Sequence, residues 1–123
     1  MKNKAIKKIN SKIIDASGRT LGRVASEVAM LLMGKTRASF ERNIYCGFPV
    51  KVLNASKLYI TTKKLAEIYH TRYSGIPGGL RILKGSQTVE KKGLKELIRL
   101  ATYQMLPGNK LRRIMMKHLK IED

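Results

Sequence analysis

The sequence has little cysteine, few aromatic residues and very few acids. Its 123 residues include one cysteine, Cys46, two phenylalanines and no tryptophan. A single cysteine excludes an internal disulfide, and no cysteine or histidine pair has metal-ligand spacing, so we expect neither a secreted disulfide-rich fold nor a zinc site. No run approaches the ~18 apolar residues of a membrane span. These absences predict a cytoplasmic protein without a metal, a cofactor or a membrane partner.

The shortage of acids leaves a large excess of positive charge. Eight acidic residues stand against 26 lysines and arginines, which gives a formal net charge of +18. So dense a charge repels itself in the folded protein, and a polyanion relieves that repulsion. The basic residues also occur in clusters, and neutralising phosphates with release of counterions is the physical use of such a surface. The composition therefore predicts a nucleic-acid partner.

The length and the charge pattern together predict a simple domain organisation. A chain of 123 residues corresponds to one domain. The first residues are rich in lysine, contain no acid and lack the apolar stretch of a secretory signal. We therefore expect a basic N-terminal arm over residues 1–11 and a single α/β domain over residues 12–123.

Hydrophobic periodicity in the first half of the chain predicts one helix among short strands. Lys12–Asp15 is a strand candidate, and apolar residues at helical spacing from Leu21 to Leu32 predict a helix. Thr20 is the expected N-cap and Gly34 the expected end. Phe48–Leu53 and Leu58–Thr62 both resemble strands, and we expect them in one sheet.

The second half shows a third β-like run, a glycine loop and two helices. The run Leu65–Tyr73 is followed by the loop 75–79, and the pattern resumes over Leu80–Leu83. An apolar stripe from Leu94 to Met105 predicts a helix, and Asn109 is the expected cap of a last one. The apolar face predicted for this last helix comprises Leu111, Ile114, Met115, His118 and Leu119, and the basic face opposite comprises Lys110, Arg113, Lys117 and Lys120.

No motif in the sequence supports catalysis. Met33-Gly34-Lys35-Thr36 has the ending of a phosphate-binding P-loop, but Ala29 stands where that motif needs its first glycine, and the glycine follows a helix instead of preceding one. His118 is expected on an apolar helix side. His70 lies among tyrosines and an arginine, where an RNA contact is the better interpretation. We therefore expect no enzyme activity and no small-molecule substrate.

Four blocks of the sequence together resemble one known family. They are Ala16-Ser-Gly-Arg-Thr-Leu-Gly-Arg-Val-Ala-Ser-Glu-Val-Ala through Gly34-Lys35, Val52-Leu-Asn-Ala-Ser-Lys-Leu to Lys64, Tyr73-Ser-Gly-Ile-Pro-Gly-Gly-Leu80, and Met105-Leu-Pro-Gly-Asn-Lys-Leu-Arg-Arg-Ile-Met-Met-Lys-His-Leu-Lys-Ile121. In order and content they are similar to the ribosomal protein L13 family of the large subunit. The sequence departs from the family pattern at Ile44–Pro49, where an acidic pair around a glycine is usual, and in the order of residues over 70–74.

The resemblance implies both a fold and a function. The fold would be α/β, with a small, mostly parallel sheet and helices on both faces. The function would be that of a structural constituent of the large ribosomal subunit that binds its rRNA, contacts neighbouring ribosomal proteins and supports early assembly. The candidate rRNA-binding residues are Lys7, Lys8, Arg19, Arg23, Lys35, Arg37, Lys63, Lys64, His70, Arg72, Tyr73, Gly78, Gly79, Arg81, Lys110, Arg113 and Lys117.

Two other function classes share some of these features. A DNA-binding architectural protein would share the charge, although no helix-turn-helix spacing is present. A phosphate-handling enzyme would need a pocket with convergent polar groups. A preference for folded rRNA over duplex DNA would distinguish an rRNA-binding protein from the DNA-binding alternative. Failure to bind or turn over nucleotides would exclude the enzyme.

Overall fold

A computed structural model of the protein describes residues 10–123, which form short strands and helices. The strands are β1 (Lys12–Asp15), β2 (Val50–Leu53), β3 (Tyr69–Tyr73), β4 (Leu80–Lys84) and β5 (Leu119–Ile121). The helices are α1 (Leu21–Met33), α2 (Thr62–Glu67), α3 (Gly85–Lys92), α4 (Leu94–Met105) and α5 (Leu111–Lys117), with a 3₁₀ turn at Ala55–Lys57. Within this part of the chain no helix is both long enough and apolar enough to cross a membrane.

The strands form two separate sheets. Strands β1, β2 and β5 lie side by side and parallel, in that order, with Ile14 opposite Val52 and Val52 opposite Ile121. Strands β3 and β4 form an antiparallel hairpin that stands apart from this sheet. The predicted α/β class with a small parallel sheet is thus confirmed.

The core lies between the parallel sheet and the helix pair formed by α1 and α4. Val28 and Leu32 of α1, Ile98 of α4 and Val52 of β2 are all fully buried in one cluster. The i, i+4 spacing of Val28 and Leu32 places both on one face of α1, as the sequence predicts. The helix ends at Gly34, whose left-handed backbone lets its N–H bond the carbonyls of Met30 and Leu31.

The two faces of the parallel sheet differ in burial. Ile14 and Val52 point to the core, whereas their strand neighbours on the opposite face include Ile13, which is 65% exposed, and Lys120, which is also exposed. Successive side chains of a strand point to opposite faces, so this alternation identifies the face that the helices cover. The sequence predicts helices on both faces of the sheet, and the buried side chains identify the helix layer on the face of Val52.

The segment that departs from the family pattern, Ile44–Pro49, packs against the end of α1. Phe48 N donates to the carbonyl of Leu31 at 3.0 Å. A Cβ on Gly47 would clash with the carbonyl of Leu32 and with the ring of Tyr45, so only glycine fits at this close approach.

The prediction of a strand over Leu58–Thr62 is wrong. Leu58 ends the 3₁₀ turn, Tyr59 forms only an isolated bridge with Thr20, and α2 begins at Thr62. The β-branched Thr61 suggests a strand, but its hydroxyl accepts a hydrogen bond from the N–H of Lys64 and caps α2 instead. The segment Leu65–Tyr73 does contain a strand, β3 at Tyr69–Tyr73, whereas its first residues up to Glu67 belong to α2.

The last part of the chain differs from expectation in three ways. Helix α3 was not predicted, because its sequence is polar and lacks an apolar stripe. Helix α5 ends at Lys117, and the residues Leu119–Ile121 that were expected to continue it pair with β2 instead. Asn109 does cap it, since its Oδ1 accepts from the N–H of Arg112 at 3.1 Å. Ile114 and Met115 were both predicted on the apolar face of this helix. Met115 is buried, but Ile114 is 40% exposed and lies outside the core.

Candidate nucleic-acid interface

Most of the predicted binding residues in the described part of the chain carry exposed side chains. Lys7 and Lys8 lie outside the described residues. The exposed basic residues are Arg23 on α1, Lys35 after it, Lys63 and Lys64 on α2, Arg72 and Arg81 on the hairpin, and Lys110, Arg113 and Lys117 at α5. They come from several separate elements of the fold.

Few of the cations are neutralised within the molecule. Ion pairs in residues 10–123 join Arg19 to Glu27, Lys51 to Glu122, Lys95 to Asp123, and both Lys92 and Arg99 to Glu96. All of these pairs involve partly exposed side chains, which contribute little to stability. The remaining basic side chains of this part of the chain form no ion pair, and those that are exposed are available to phosphates.

Two of the predicted residues are engaged in local structure. Arg19 forms an ion pair of 2.6 Å with Glu27, which balances its charge. The guanidinium of Arg37 lies 3.9 Å from the centre of the Phe48 ring, and the side chain is half-buried. A cation over a ring face is attracted by the ring quadrupole, so Arg37 also holds the segment after α1 in place.

The predicted glycine loop is a tight turn between β3 and β4. Gly79 N donates to the carbonyl of Ile76 at 2.9 Å, Pro77 occupies the second position, and Gly78 has a φ of +80°. This is the arrangement of a type II turn, which favours glycine at its third position. A Cβ on Gly79 would clash with Ser74, so the turn itself accounts for both glycines.

The hairpin places two arginines directly opposite each other. Arg72 on β3 faces Arg81 on β4, and both side chains are exposed. Like charges opposite each other destabilise a strand pair. Strand alternation puts both arginines on the same hairpin face as His70 and Leu83, which is the face turned toward α3 and α4.

A groove lies between this hairpin face and the helices α3 and α4. It encloses about 820 Å³, and we call it the His70 groove. The residues that line it include His70, Arg72, Leu83, Gln87, Lys91, Lys92, Glu96, Arg99, Leu100, Tyr103 and Gln104. Four of these residues are cations and one is an acid, so the groove is positively charged, as the whole molecule is.

His70 lies at the base of the groove and is only 6% exposed. Neither of its ring nitrogens has a hydrogen-bond partner in the protein. Burial lowers the pKa of His70 below its ordinary 6.5, which keeps the ring neutral at pH 7. A neighbouring cavity of about 340 Å³ is also lined by His70 and Gln104, so the ring stands between two spaces. The sequence favours an RNA contact for His70, and its position in β3 buries most of the ring.

Sequence reasoning did not select Lys91, Lys92, Arg99 or Tyr103 as site residues. Lys91 and Lys92 form a visible basic cluster in the sequence, but nothing local showed that α3 would face the hairpin. Arg99 and Tyr103 lie four residues apart on α4, on the side away from its apolar stripe. Residues at this spacing are neighbours on a helix surface, and the sequence therefore contains a signal that places them together.

Two other titratable side chains of the described residues, His118 and Asp15, are engaged in local contacts. No group of three histidine, cysteine or acidic side chains there could hold a metal ion. His118 stacks on Tyr45 at 5.1 Å, and its Nδ1 donates to the carbonyl of Ile114. Hydrogen bonds from Asn54 and Ser17 hold the pKa of Asp15 below its usual value, and this carboxylate fixes the turn after β1.

Comparison with known proteins identifies extensive sequence similarity. A family model described as ribosomal protein L13 matches residues 10–121. A large ribosomal subunit protein uL13 from Pelobacter propionicus is 43% identical over 109 residues, which cover 89% of this chain and 76% of the relative. The uL13 proteins of Syntrophotalea carbinolica and Aquifex aeolicus are each 42% identical, covering 98% and 89% of this chain and 83% and 75% of their own lengths.

Proposed function

The chain belongs to the ribosomal protein L13 family, and we propose that it is a structural constituent of the large ribosomal subunit that binds large-subunit rRNA and supports early subunit assembly. The observation that carries the rRNA contact is the excess of exposed cations without carboxylate partners. Ribosomal RNA is a polyanion, and neutralisation of its phosphates by such cations with release of counterions favours binding.

The mechanism is physical instead of chemical. Lysines and arginines on α1, α2, the hairpin and α5 neutralise phosphates of RNA helices that approach the protein from different sides. The bases of an A-form helix are hidden in its deep, narrow major groove, so recognition depends on RNA shape and backbone. On this basis we expect the protein in the cytoplasm, without catalytic activity and without a small-molecule substrate.

The proposal includes the organisation of the chain and its partners. Residues 1–11 form a basic arm that contributes Lys7 and Lys8, and residues 12–123 form the rRNA-binding domain. Neighbouring ribosomal proteins of the large subunit contact the same domain. The exposed apolar side chains of the hairpin face opposite to Arg72, among them Tyr69, Leu80 and Ile82, suit such contacts.

Competition between RNA and DNA tests the proposal. The full chain is bound to a labelled large-subunit rRNA transcript and challenged with unlabelled transcript or with an equal phosphate concentration of duplex DNA. We expect the transcript to compete at a concentration at least tenfold lower than the DNA. Equal competition would favour an architectural DNA-binding protein, and turnover of a nucleotide by the purified chain would favour an enzyme.

A further inference from the structure

We propose that the His70 groove binds one unstacked nucleotide of an RNA strand, with its base beside His70 and its phosphates on Arg72 and Lys91. The inference rests on the RNA-binding function proposed above, and it assigns to that function one definite binding place. Four features of the groove support it: an unpartnered buried ring, polar and apolar walls, a positive rim and a suitable size.

The base of the groove has the hydrogen-bonding character that a nucleobase edge requires. A neutral imidazole offers one donor and one acceptor, and both nitrogens of His70 are buried without a partner. A buried polar atom without a partner carries the full cost of its desolvation, so a bound group that supplies a donor or an acceptor to one ring nitrogen recovers part of that cost. Base edges carry groups of both kinds.

The walls of the groove suit the rest of a base. Leu83, directly opposite His70 in the hairpin, and Leu100 on α4 are half-buried and supply apolar surface for the base faces. Gln87 and Gln104 add amide groups that can donate and accept. A few polar groups within an apolar lining are typical of sites for small organic groups.

The rim of the groove suits phosphates. Arg72 and Lys91 are exposed and form no ion pair in the described residues. Arg81 faces Arg72 across the hairpin, and an anion between or beside the two guanidiniums relieves their repulsion. The one carboxylate of the lining, Glu96, is already engaged, at 3.9 Å from Lys92 and 3.4 Å from Arg99.

The size and openness of the groove favour a nucleotide that belongs to a strand. About 820 Å³ lies within the range of roughly 300–1,000 Å³ that is usual for ligand sites. The groove opens to the surface, so a strand can enter and leave on either side of a nucleotide held inside. Bases in a duplex are stacked and paired, whereas bases of loops and bulges can be splayed out and recognised on their edges.

The test measures the affinity of the full chain for three probes: a labelled single-stranded oligouridylate of eight nucleotides, a labelled RNA duplex and uridine monophosphate. His70→Leu removes both ring nitrogens. We expect it to weaken binding of the octamer roughly tenfold, to change duplex binding less than twofold and to leave the thermal melting temperature equal or higher. A purely structural role of His70 would instead lower the melting temperature.

A matched pair of charge variants tests the rim without altering the core. Arg72→Gln with Lys91→Gln and Lys57→Gln with Lys120→Gln each remove two positive charges, and Lys57 and Lys120 are exposed and do not line the groove. We expect the first pair to weaken octamer binding at least five times more than the second. If the two pairs weaken it equally, only net charge matters and the groove assignment fails.

The remaining outcomes separate the groove from the general function. Octamer binding by His70→Leu as tight as that of the wild type would overturn the nucleotide site while rRNA binding persists. Uridine monophosphate bound as tightly as the octamer, with the same loss in His70→Leu, would assign the groove to a free nucleotide and overturn its assignment to an RNA strand. Absence of wild-type binding to the rRNA transcript would instead overturn the proposed function itself.

Discussion

At the scale of the single residue, burial decides how His70 responds to pH. Because its pKa is lowered in the folded state, the unfolded chain binds more protons below about pH 6.5, and stability falls as the pH falls through this range. We expect the melting temperature of the wild type to decrease more between pH 7.5 and pH 5.5 than that of His70→Leu, which lacks the group. Calorimetry at both values measures this, and equal decreases would contradict it.

Gly47 is a residue whose small size is required by a close backbone approach. A Cβ there would overlap the carbonyl of Leu32, so we expect Gly47→Ala to cost about 1–3 kcal/mol through forced displacement of the chain. Gly22 is the matched control, since its Cβ would meet open space on α1. Gly22→Ala should stabilise the protein by roughly 0.5–1 kcal/mol because alanine favours a helix. Urea unfolding of both variants measures the difference, and a stable Gly47→Ala protein would refute the proposed contact.

At the scale of the element, two adjacent residues of α5 differ in how much stability their substitution removes. Met115 is 4% exposed in the core, whereas its neighbour Ile114 is 40% exposed. We expect Met115→Ala to cost about 2–5 kcal/mol, because it leaves a cavity. Ile114→Ala should cost less than about 1 kcal/mol. Chemical unfolding of the two variants checks this order, and the reverse order would mean that the helix is rotated.

The hairpin and α3 are joined in a way that fixes the shape of the His70 groove. Gly85 N, at the start of α3, donates to the carbonyl of Ile68 at 2.8 Å, immediately before β3. A Cβ on Gly85 would come within 3.0 Å of the carbonyl of Leu65, so α2, the hairpin and α3 meet closely. The walls of the groove are therefore held relative to one another in the free protein, and such preorganisation reduces the ordering cost of binding a ligand.

At the scale of the whole molecule, the net charge of +18 predicts a strong response to salt. If the surface neutralises six to ten phosphates, affinity for the rRNA transcript should fall by roughly 10³–10⁵ between 50 and 200 mM monovalent salt. Binding titrations over this range give the slope of log affinity against log salt. An affinity that does not change with salt would contradict an electrostatic interface and would indicate that shape and base contacts provide the affinity.

The sequence by itself determined the properties that depend on composition and on neighbours along the chain. The excess of positive charge follows from the amino-acid composition alone. Helices α1 and α4 follow from apolar spacing, and their ends at Gly34 and before Pro107 follow from local backbone preferences. The strand Tyr69–Tyr73 and the turn at Gly78 follow from the same kind of local signal.

The tertiary structure decided what depends on contacts between distant segments. Leu119–Ile121 became a strand because β2 offered a parallel partner, and no local signal announces such a partner. Thr61 caps helix α2 and Thr62 begins it, although β-branched residues favour strands. The burial of His70 and the placement of Arg72 and Lys91 around one groove arose only when the hairpin packed against α3 and α4. The sequence thus determined the large excess of positive charge, and packing decided which of the cations surround the His70 groove, because burial depends on elements that are far apart in the chain.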